Sequence, residues 1–269
     1  MYTWSKTKGE LIKEIETERN DVSLFFLGQC GFVITYKGKT ILIDAVLEDL
    51  TTPDGKTRRN YPPLFKGDDL KTDIMIFTHN HKDHLAKASA LASYTKNPDI
   101  RFVLPKGLKK ELTELEIKES NIFPLIKDDS LNIDGVNIFA FSTAHPDHND
   151  DLNLGYAINI NGKKIVHLGD TYLTEQLHQS LLKLGHIDVL MGPINGDDYY
   201  RAKRNCIGNM EAEEFALLCK DLNVGIGVPT HYDMVVGNTA DVNRFAVKMK
   251  EIDFNSHAKI MQLGELLSL

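Results

Sequence analysis

Apolar and polar residues alternate along the chain in short blocks that are typical of strands, with longer helical patterns between them. In the N-terminal half, apolar runs predict strands at residues 22–27, 32–36, 40–44, 73–78 and 101–104. In the C-terminal half they predict strands at 136–143, 155–160, 164–168, 188–191, 224–229 and 259–262. Two strand-rich halves with flanking helices predict an α/β protein in which two sheets form a sandwich with helices outside.

Helical periodicity and turn residues complete this outline. Apolar residues at helical spacing predict helices over the first twenty residues and over 85–95, 106–118, 172–184, about 210–222 and 239–251. Lys37-Gly38-Lys39 and Asn161-Gly162 are typical of tight hairpin turns. Residues 45–72 form a long loop, and a loop of this length inside a compact protein is often functional. Nothing divides the chain, so we expect one domain over 1–269.

Composition narrows the class of protein. The chain has 269 residues, 42% hydrophobic and 26% charged, which excludes overall disorder. It has no apolar run long enough to span a bilayer and no N-terminal signal peptide pattern. Cys30, Cys206 and Cys219 are widely spaced, so we expect no disulfide framework and a cytoplasmic location. The net charge of −7 disfavours nucleic acid as a partner. No membrane partner is expected, and a homo-oligomer stays open.

The densest cluster of chemistry-bearing side chains is segment 78–84, which reads Thr-His-Asn-His-Lys-Asp-His. It follows a predicted buried strand and opens a predicted helix. His79 and His81 are two residues apart, so an extended or turning backbone can aim both imidazoles at one point. Asp83 and His84 can address a second point nearby. Imidazole and carboxylate are ligands for zinc, iron or manganese, so the segment predicts a metal site rather than a polar loop.

Three further candidate ligands lie separately along the chain. His145, Asp170 and His231 each follow a predicted strand, and strand ends collect loops into functional sites. A lone histidine in a loop is more often structural or solvated, so none of the three is specific by itself. Their order behind segment 78–84 is what favours a shared metal site.

The ligand order His-x-His-x-Asp-His, His, Gly-Asp, His resembles the metallo-β-lactamase superfamily, and the resemblance extends from the turn at residues 27–31 to Gly264. It implies a four-layer αββα sandwich with two divalent metal ions, zinc or manganese with iron as an alternative. It also implies a role for each ligand. His79, His81 and His145 would hold the first ion, Asp83, His84 and His231 the second, and Asp170 would bridge them. His148 competes with His145, which we prefer because it lies closer to the strand end.

Other parts of the chain narrow the resemblance. Flavodiiron proteins carry Glu in place of His81, and zinc β-lactamases commonly carry Cys in place of Asp170. Residues 187–190, 192–196, 201–210 and 228–233 resemble the branch that contains L-ascorbate-6-phosphate lactonase. The chain is shorter than that lactonase in its middle, and the loop around His145 differs.

The resemblance and the charge pattern together predict a function. Two divalent ions can generate a hydroxide at neutral pH. As catalytic residues, Asp83 would orient this hydroxide, and Asp170 would bridge the two ions and neutralise part of their charge. Arg201, Lys203 and Arg204 form a basic cluster that, with Asn195, would bind an anionic substrate, and a solvated surface loop is the alternative. A second cluster, Lys56, Arg58 and Arg59, is better interpreted as solvated.

We therefore expect a lactonase-like hydrolase that opens a lactone or related ester of a small sugar-like anion. A phosphodiesterase or nuclease of the same fold is the first alternative, although a nuclease usually carries an extra basic arm. A metal-binding protein without catalysis is the second.

Overall fold

The computed structural model describes residues 3–53, 55–203 and 208–269. Arg204 and Cys206 therefore lie outside the described residues. Within these ranges the chain forms thirteen strands and seven α-helices. The strands are β1 Ser23–Gly28, β2 Gly31–Tyr36, β3 Lys39–Ile43, β4 Ile74–Ile76, β5 Arg101–Pro105, β6 Ile122–Leu125, β7 Ser130–Ile133, β8 Val136–Ser142, β9 Leu154–Ile160, β10 Lys163–His167, β11 Val189–Pro193, β12 Ile226–Thr230 and β13 Leu266–Ser268. The helices are α1 Lys8–Glu16, α2 Lys87–Lys96, α3 Lys109–Thr113, α4 Glu175–Lys183, α5 Tyr199–Lys203, α6 Ala212–Asp221 and α7 Asn243–Glu251.

The chain divides into two compact units, and the first comprises the residues up to Leu125 together with Gln262–Leu269. Its sheet has the order β13-β1-β2-β3-β4-β5-β6. Strands from β13 to β3 pair antiparallel, and those from β3 to β6 pair parallel. Every residue of β1 is buried, which explains its continuous apolar run in the sequence. Since β3 and β4 are parallel, the residues that follow them emerge at the same end of the two strands. These residues are Asp44 and Phe77–His79.

The second unit, Ile126–Met261, contains the sheet β12-β11-β10-β9-β8-β7. Strands β10, β11 and β12 are parallel, and β8 pairs antiparallel with β9, which pairs antiparallel with β10. Strand β8 therefore points in the same direction as β10 and β12. The loops that follow these three strands consequently leave the same edge of the sheet. Helices α4, α6 and α7 cover this sheet through an apolar core that includes Leu177, Phe215 and Phe245.

Both hairpin turns predicted from the sequence are confirmed. Lys37 and Gly38 have φ of 47° and 74°, and Asn161 and Gly162 have φ of 52° and 74°. Two successive positive φ angles are the backbone of the two-residue turn that matches strand twist. None of the helices formed by the described residues is long and apolar enough to cross a membrane.

The helix predicted over residues 106–118 is largely wrong. Its regular part, α3, is limited to Lys109–Thr113 and follows a short 3-10 turn. Glu116 has φ of 61°, in the left-handed region, so the backbone cannot continue a right-handed helix through it. The sequence after it forms the edge strand β6 instead.

The strand predicted at residues 259–262 is also wrong. Only one isolated bridge forms there, between Gly227 and Ala258, with Lys259 N–H donating to the Gly227 carbonyl. Ile260 packs its side chain against the core of the second unit, so its apolar character serves packing and not sheet pairing. The last strand is β13, which pairs with β1.

Arg59 corrects the interpretation of the basic cluster in the long loop. Its side chain is buried, and its guanidinium donates to the carbonyls of Val46, Glu48 and Tyr61. A guanidinium that satisfies three carbonyls in this way ties one stretch of loop to another. Arg59 is therefore a structural residue and not a solvated one.

Candidate metal centre

Segment 78–84 turns sharply after β4 and brings its ligand atoms together. Nε2 of His79 lies 3.1 Å from Nδ1 of His81, with the two rings edge to face. The ring centroids of His79 and His84 are 4.0 Å apart. Oδ2 of Asp83 lies 3.9 Å from Nε2 of His84. The first unit thus gathers four of the seven ligands predicted from the sequence.

Asp44 supports this turn through its side-chain contacts, and the sequence analysis did not identify this residue. Its buried carboxylate accepts hydrogen bonds from the Thr78 backbone N–H at 2.9 Å and the Thr78 hydroxyl at 2.6 Å. The same carboxylate lies 2.7 Å from Nδ1 of His84. A carboxylate placed on one imidazole nitrogen sets the ring orientation and leaves the other nitrogen for a metal. In the sequence, the position of Asp44 at the end of a predicted buried strand was the signal that could have identified it.

Gln29 is a second residue that sequence reasoning did not single out. It lies in the turn between β1 and β2 and is fully buried. Its side-chain amide donates a hydrogen bond of 2.8 Å to Oδ2 of Asp83. One oxygen of this candidate ligand is thereby held by the turn that follows β1.

In the second unit, Asp170 lies close to two buried imidazoles, those of His145 and His231. One of its carboxylate oxygens is 3.1 Å from Nε2 of His231. A carboxylate oxygen of Asp170 and a ring nitrogen of His145 lie within 4.8 Å of each other. The three residues follow β10, β12 and β8, whose parallel direction places their loops at one edge. The second unit therefore brings together the remaining three predicted ligands.

His145 and His148 differ in burial. His145 is 4% exposed, whereas His148 is half-buried, and their Nδ1 atoms are 2.9 Å apart. The backbone N–H of Asp147 also donates to Nδ1 of His145, at 3.3 Å. These contacts all fall on Nδ1 of His145 and none of them engages its Nε2.

Hydrogen bonds connect the loop of His145 to the loop of Asp170. The Thr171 hydroxyl accepts from the backbone N–H of Ala144 at 2.8 Å, and Tyr172 N–H donates to the Ala144 carbonyl at 2.9 Å. The Tyr172 hydroxyl donates to Asp197 at 3.0 Å. Burial, reinforced by this hydrogen bond, raises the pKa of Tyr172 to about 12. Tyr172 therefore stays protonated at neutral pH and remains a donor.

The predicted substrate-binding residues Asn195 and Arg201 meet at Asn238. Oδ1 of Asn238 accepts from the Asn195 amide and from Nε of Arg201, both at 3.1 Å. Arg201 also donates to the Thr239 carbonyl at 2.7 Å and pairs with Asp198. The guanidinium thus fastens α5 to the loop that follows His231. Arg204, the third predicted residue, lies outside the described residues.

The donor set of both units fits divalent metal ions. Each unit offers imidazole nitrogens together with a carboxylate, which suits zinc, manganese and iron. The imidazoles of His79, His84, His145 and His231 are buried, where a metal ion would compensate the cost of removing polar nitrogens from water. Cys30 and Cys219 are both buried. Burial raises the pKa of Cys219, so its thiol stays protonated.

The chain is similar to relatives of known sequence over most of its length. A protein of Thermococcus onnurineus described as a UPF0173 metal-dependent hydrolase is 27% identical over 257 residues, which cover 92% of this chain and 100% of that one. A UPF0173 metal-dependent hydrolase of Saccharolobus solfataricus is 25% identical, covering 91% of this chain and 99% of the relative. The predicted class, a metal-dependent hydrolase, agrees with what these relatives are called.

Solved structures confirm the predicted fold class. The metallo-hydrolase Igni18 from Ignicoccus hospitalis superposes with a TM-score of 0.70 at 22% identity, covering 92% of this chain and 98% of that one. YhfI from Bacillus subtilis, a metallo-β-lactamase fold protein, superposes with a TM-score of 0.66 at 15% identity, and the match covers 93% of this chain and 100% of that one. The family model of the β-lactamase superfamily domain matches residues 39–232, which contain every candidate ligand. With most of its length matched by that model, the chain belongs to the β-lactamase superfamily.

Proposed function

We propose that this protein is a metal-dependent hydrolase in which the ligands of the two units hold two divalent ions. The observation that carries the proposal is the position of Asp170 in the second unit, where its carboxylate faces His231 at 3.1 Å and lies within 4.8 Å of His145. A carboxylate with two oxygens can serve a different ion with each, so this position supports a bridging role. The four clustered ligands of the first unit supply the complementary donors.

In this proposal His79, His81 and His145 bind the first ion, and Asp83, His84 and His231 bind the second. Bound divalent ions would polarise the oxygen under attack and lower the pKa of a water molecule to about 7. Asp83 would orient the attacking water, because the Gln29 amide already fixes one of its oxygens. Asp44 would keep the His84 ring in a ligating orientation.

The proposed substrate is a lactone or related ester of a small, sugar-like anion. The support is the resemblance of residues 187–233 to the lactonase branch and the basic pair Arg201 and Arg204. Arg201 already contacts Asp198, Asn238 and Thr239. We therefore assign Arg201 and Asn195 to shaping the binding surface, and the direct contact with the anionic group to Arg204.

The test is a parallel screen of the purified, metal-loaded protein against lactones, phosphodiesters and thioesters, with the Asp170→Asn variant as the control for contaminating activity. We expect hydrolysis of a charged lactone and a smaller rate with its neutral analogue. Arg204→Ala should reduce kcat/KM on the charged lactone by about tenfold to a hundredfold, the equivalent of a lost charge-assisted hydrogen bond. The neutral analogue should be affected much less.

A preference for phosphodiesters would overturn the lactonase assignment and favour a phosphodiesterase or nuclease of the same fold. Equal losses on both lactones would overturn the contact between Arg204 and the anion. A protein that binds metal and hydrolyses none of the three substrate classes would support the alternative of a metal-binding protein without catalysis.

A further inference from the structure

We infer that Gln29 is a positioning residue that fixes the Asp83 carboxylate for metal binding. This inference rests on the proposed function, since it concerns one of the proposed ligands. Gln29 and Asp83 belong to the same unit, 54 residues apart in the chain, and the amide donates to Oδ2 at 2.8 Å. The consequence would be a carboxylate with a preset orientation before any ion arrives.

The backbone at Gln29 breaks a local rule. Gln29 has φ of 55°, at the first position of a two-residue turn between β1 and β2. Residues that accept a positive φ readily are glycine, asparagine and aspartate, so glutamine is an unfavourable choice there. The side chain is also fully buried, although glutamine is usually exposed. A residue that violates local preference and buries a polar group suggests a compensating role, and the bond to Asp83 is such a role.

The turn that carries Gln29 is held from two sides. A methyl group added to Gly28 would come within 1.9 Å of the Tyr61 hydroxyl. Tyr61 belongs to the long loop, so this loop packs closely against the turn. Arg59 in turn holds the Tyr61 carbonyl. On the other side, a methyl group on Gly31 would lie 3.2 Å from the Asp44 carbonyl. The amide of Gln29 is therefore delivered by a backbone with little room to shift.

The hydrogen bond has a defined chemical effect. The amide N–H donates to one carboxylate oxygen and thereby restricts how the carboxylate can turn. Because Oδ2 of Asp83 also faces Nε2 of His84, the bond sets how the carboxylate is turned relative to that imidazole. Partners that orient metal ligands typically change metal affinity or activity by about tenfold to a hundredfold when removed.

Two substitutions separate this role from a purely structural one. Gln29→Asn keeps an amide and suits the positive φ better, but it is one methylene too short to keep the bond. Gln29→Glu keeps the length and places an acceptor against the Asp83 carboxylate. Asn161→Gln is the matched control, because Asn161 has φ of 52° in the hairpin turn of the other unit. It introduces the same unfavourable residue without touching the site.

The readouts are Zn²⁺ affinity by chelator competition, the visible absorption of the Co²⁺-loaded protein, and Tm without metal. We expect Gln29→Asn to keep or raise Tm, to weaken the more weakly bound ion by about tenfold to a hundredfold and to alter the Co²⁺ spectrum. Gln29→Glu should weaken the binding of that ion further. Asn161→Gln should lower Tm by a few degrees and leave both metal readouts unchanged.

Wild-type metal affinity and spectrum in both Gln29 variants would overturn the role of Gln29 while leaving the proposed function standing. An affinity loss that tracked a loss of Tm in all three variants, including Asn161→Gln, would reduce Gln29 to a structural residue. A wild-type protein that takes up no Zn²⁺ or Co²⁺ would overturn the proposed function and this role with it.

Discussion

The two units supply their candidate ligands in different ways. In the first unit, four ligands come from one turn of six residues, His79 to His84, which Asp44 and Gln29 hold from neighbouring strand ends. In the second unit, the ligands His145, Asp170 and His231 follow three different strands. The first set depends on the conformation of one turn, whereas the second depends on the register of β8, β10 and β12. In the proposed site Asp170 would serve both ions, so its loss should impair the site more than the loss of one ligand from the turn.

The largest effect is therefore expected from Asp170→Asn in the second unit. If the carboxylate serves both ions, its loss should impair both, and kcat/KM should fall by more than about a hundredfold, beyond the effect of an orienting partner. Metal content per chain and turnover measure this. Normal metal content with wild-type turnover would show that Asp170 is only a loop residue and would remove the asymmetry between the units.

The next prediction distinguishes the two histidines after β8. His145→Ala should release the first ion and lower turnover, although by less than Asp170→Asn does, because the buried His145 lies near Asp170 and would serve one ion only. His148→Ala is the control, and it should retain metal and most of the activity. Metal loss from His148→Ala with a normal His145→Ala would reverse the assignment and make His148 the ligand.

A third prediction concerns Asp44 in the first unit. Asp44→Asn keeps the size of the side chain but weakens its grip on His84 and on the Thr78 N–H and hydroxyl. We expect metal affinity and turnover to fall by about tenfold to a hundredfold. Chelator competition measures the affinity. An unchanged affinity would mean that the clustered turn holds its own geometry and needs no support from β3.

The sequence predicted the candidate ligands of the two units unequally, for a physical reason. The histidines at 79, 81 and 84 are a local signal, because residues close in sequence at the end of one strand must be close in space. The support from Asp44 was missed, since its partners lie 34 and 40 residues away and only the parallel pairing of β3 and β4 brings them together. His145, Asp170 and His231 were singled out because each follows a predicted strand, and the family resemblance then supplied their roles as ligands.

The strands that the sequence did not predict share a position in the fold. β6, β7 and β13 each lie at the edge of a sheet. Edge strands are short and tolerate residues that central strands exclude, such as Pro124 in β6. Central strands such as β1 and β2 bury almost every residue, so their apolar runs are visible in the sequence.

The smallest effect is expected from Arg201, which supports the second unit without serving as a ligand. Arg201→Ala removes hydrogen bonds to Asn238 and Thr239 from a side chain that is only 13% exposed. We expect a loss of about 1.5–3 kcal/mol in the free energy of unfolding with metal content retained. Arg244→Ala is the control, because its exposed pair with Glu213 should contribute less than about 1 kcal/mol. Equal losses in denaturant unfolding would show that Arg201 is no more than a surface ion pair.

The metal content of the purified protein tests the central claim most directly. Elemental analysis of protein prepared without chelators should find close to two divalent ions per chain. The double variant His79→Ala with His81→Ala should lose the first ion while retaining its fold. A wild-type protein that contains no metal, and takes up none when zinc or manganese is added, would contradict the account.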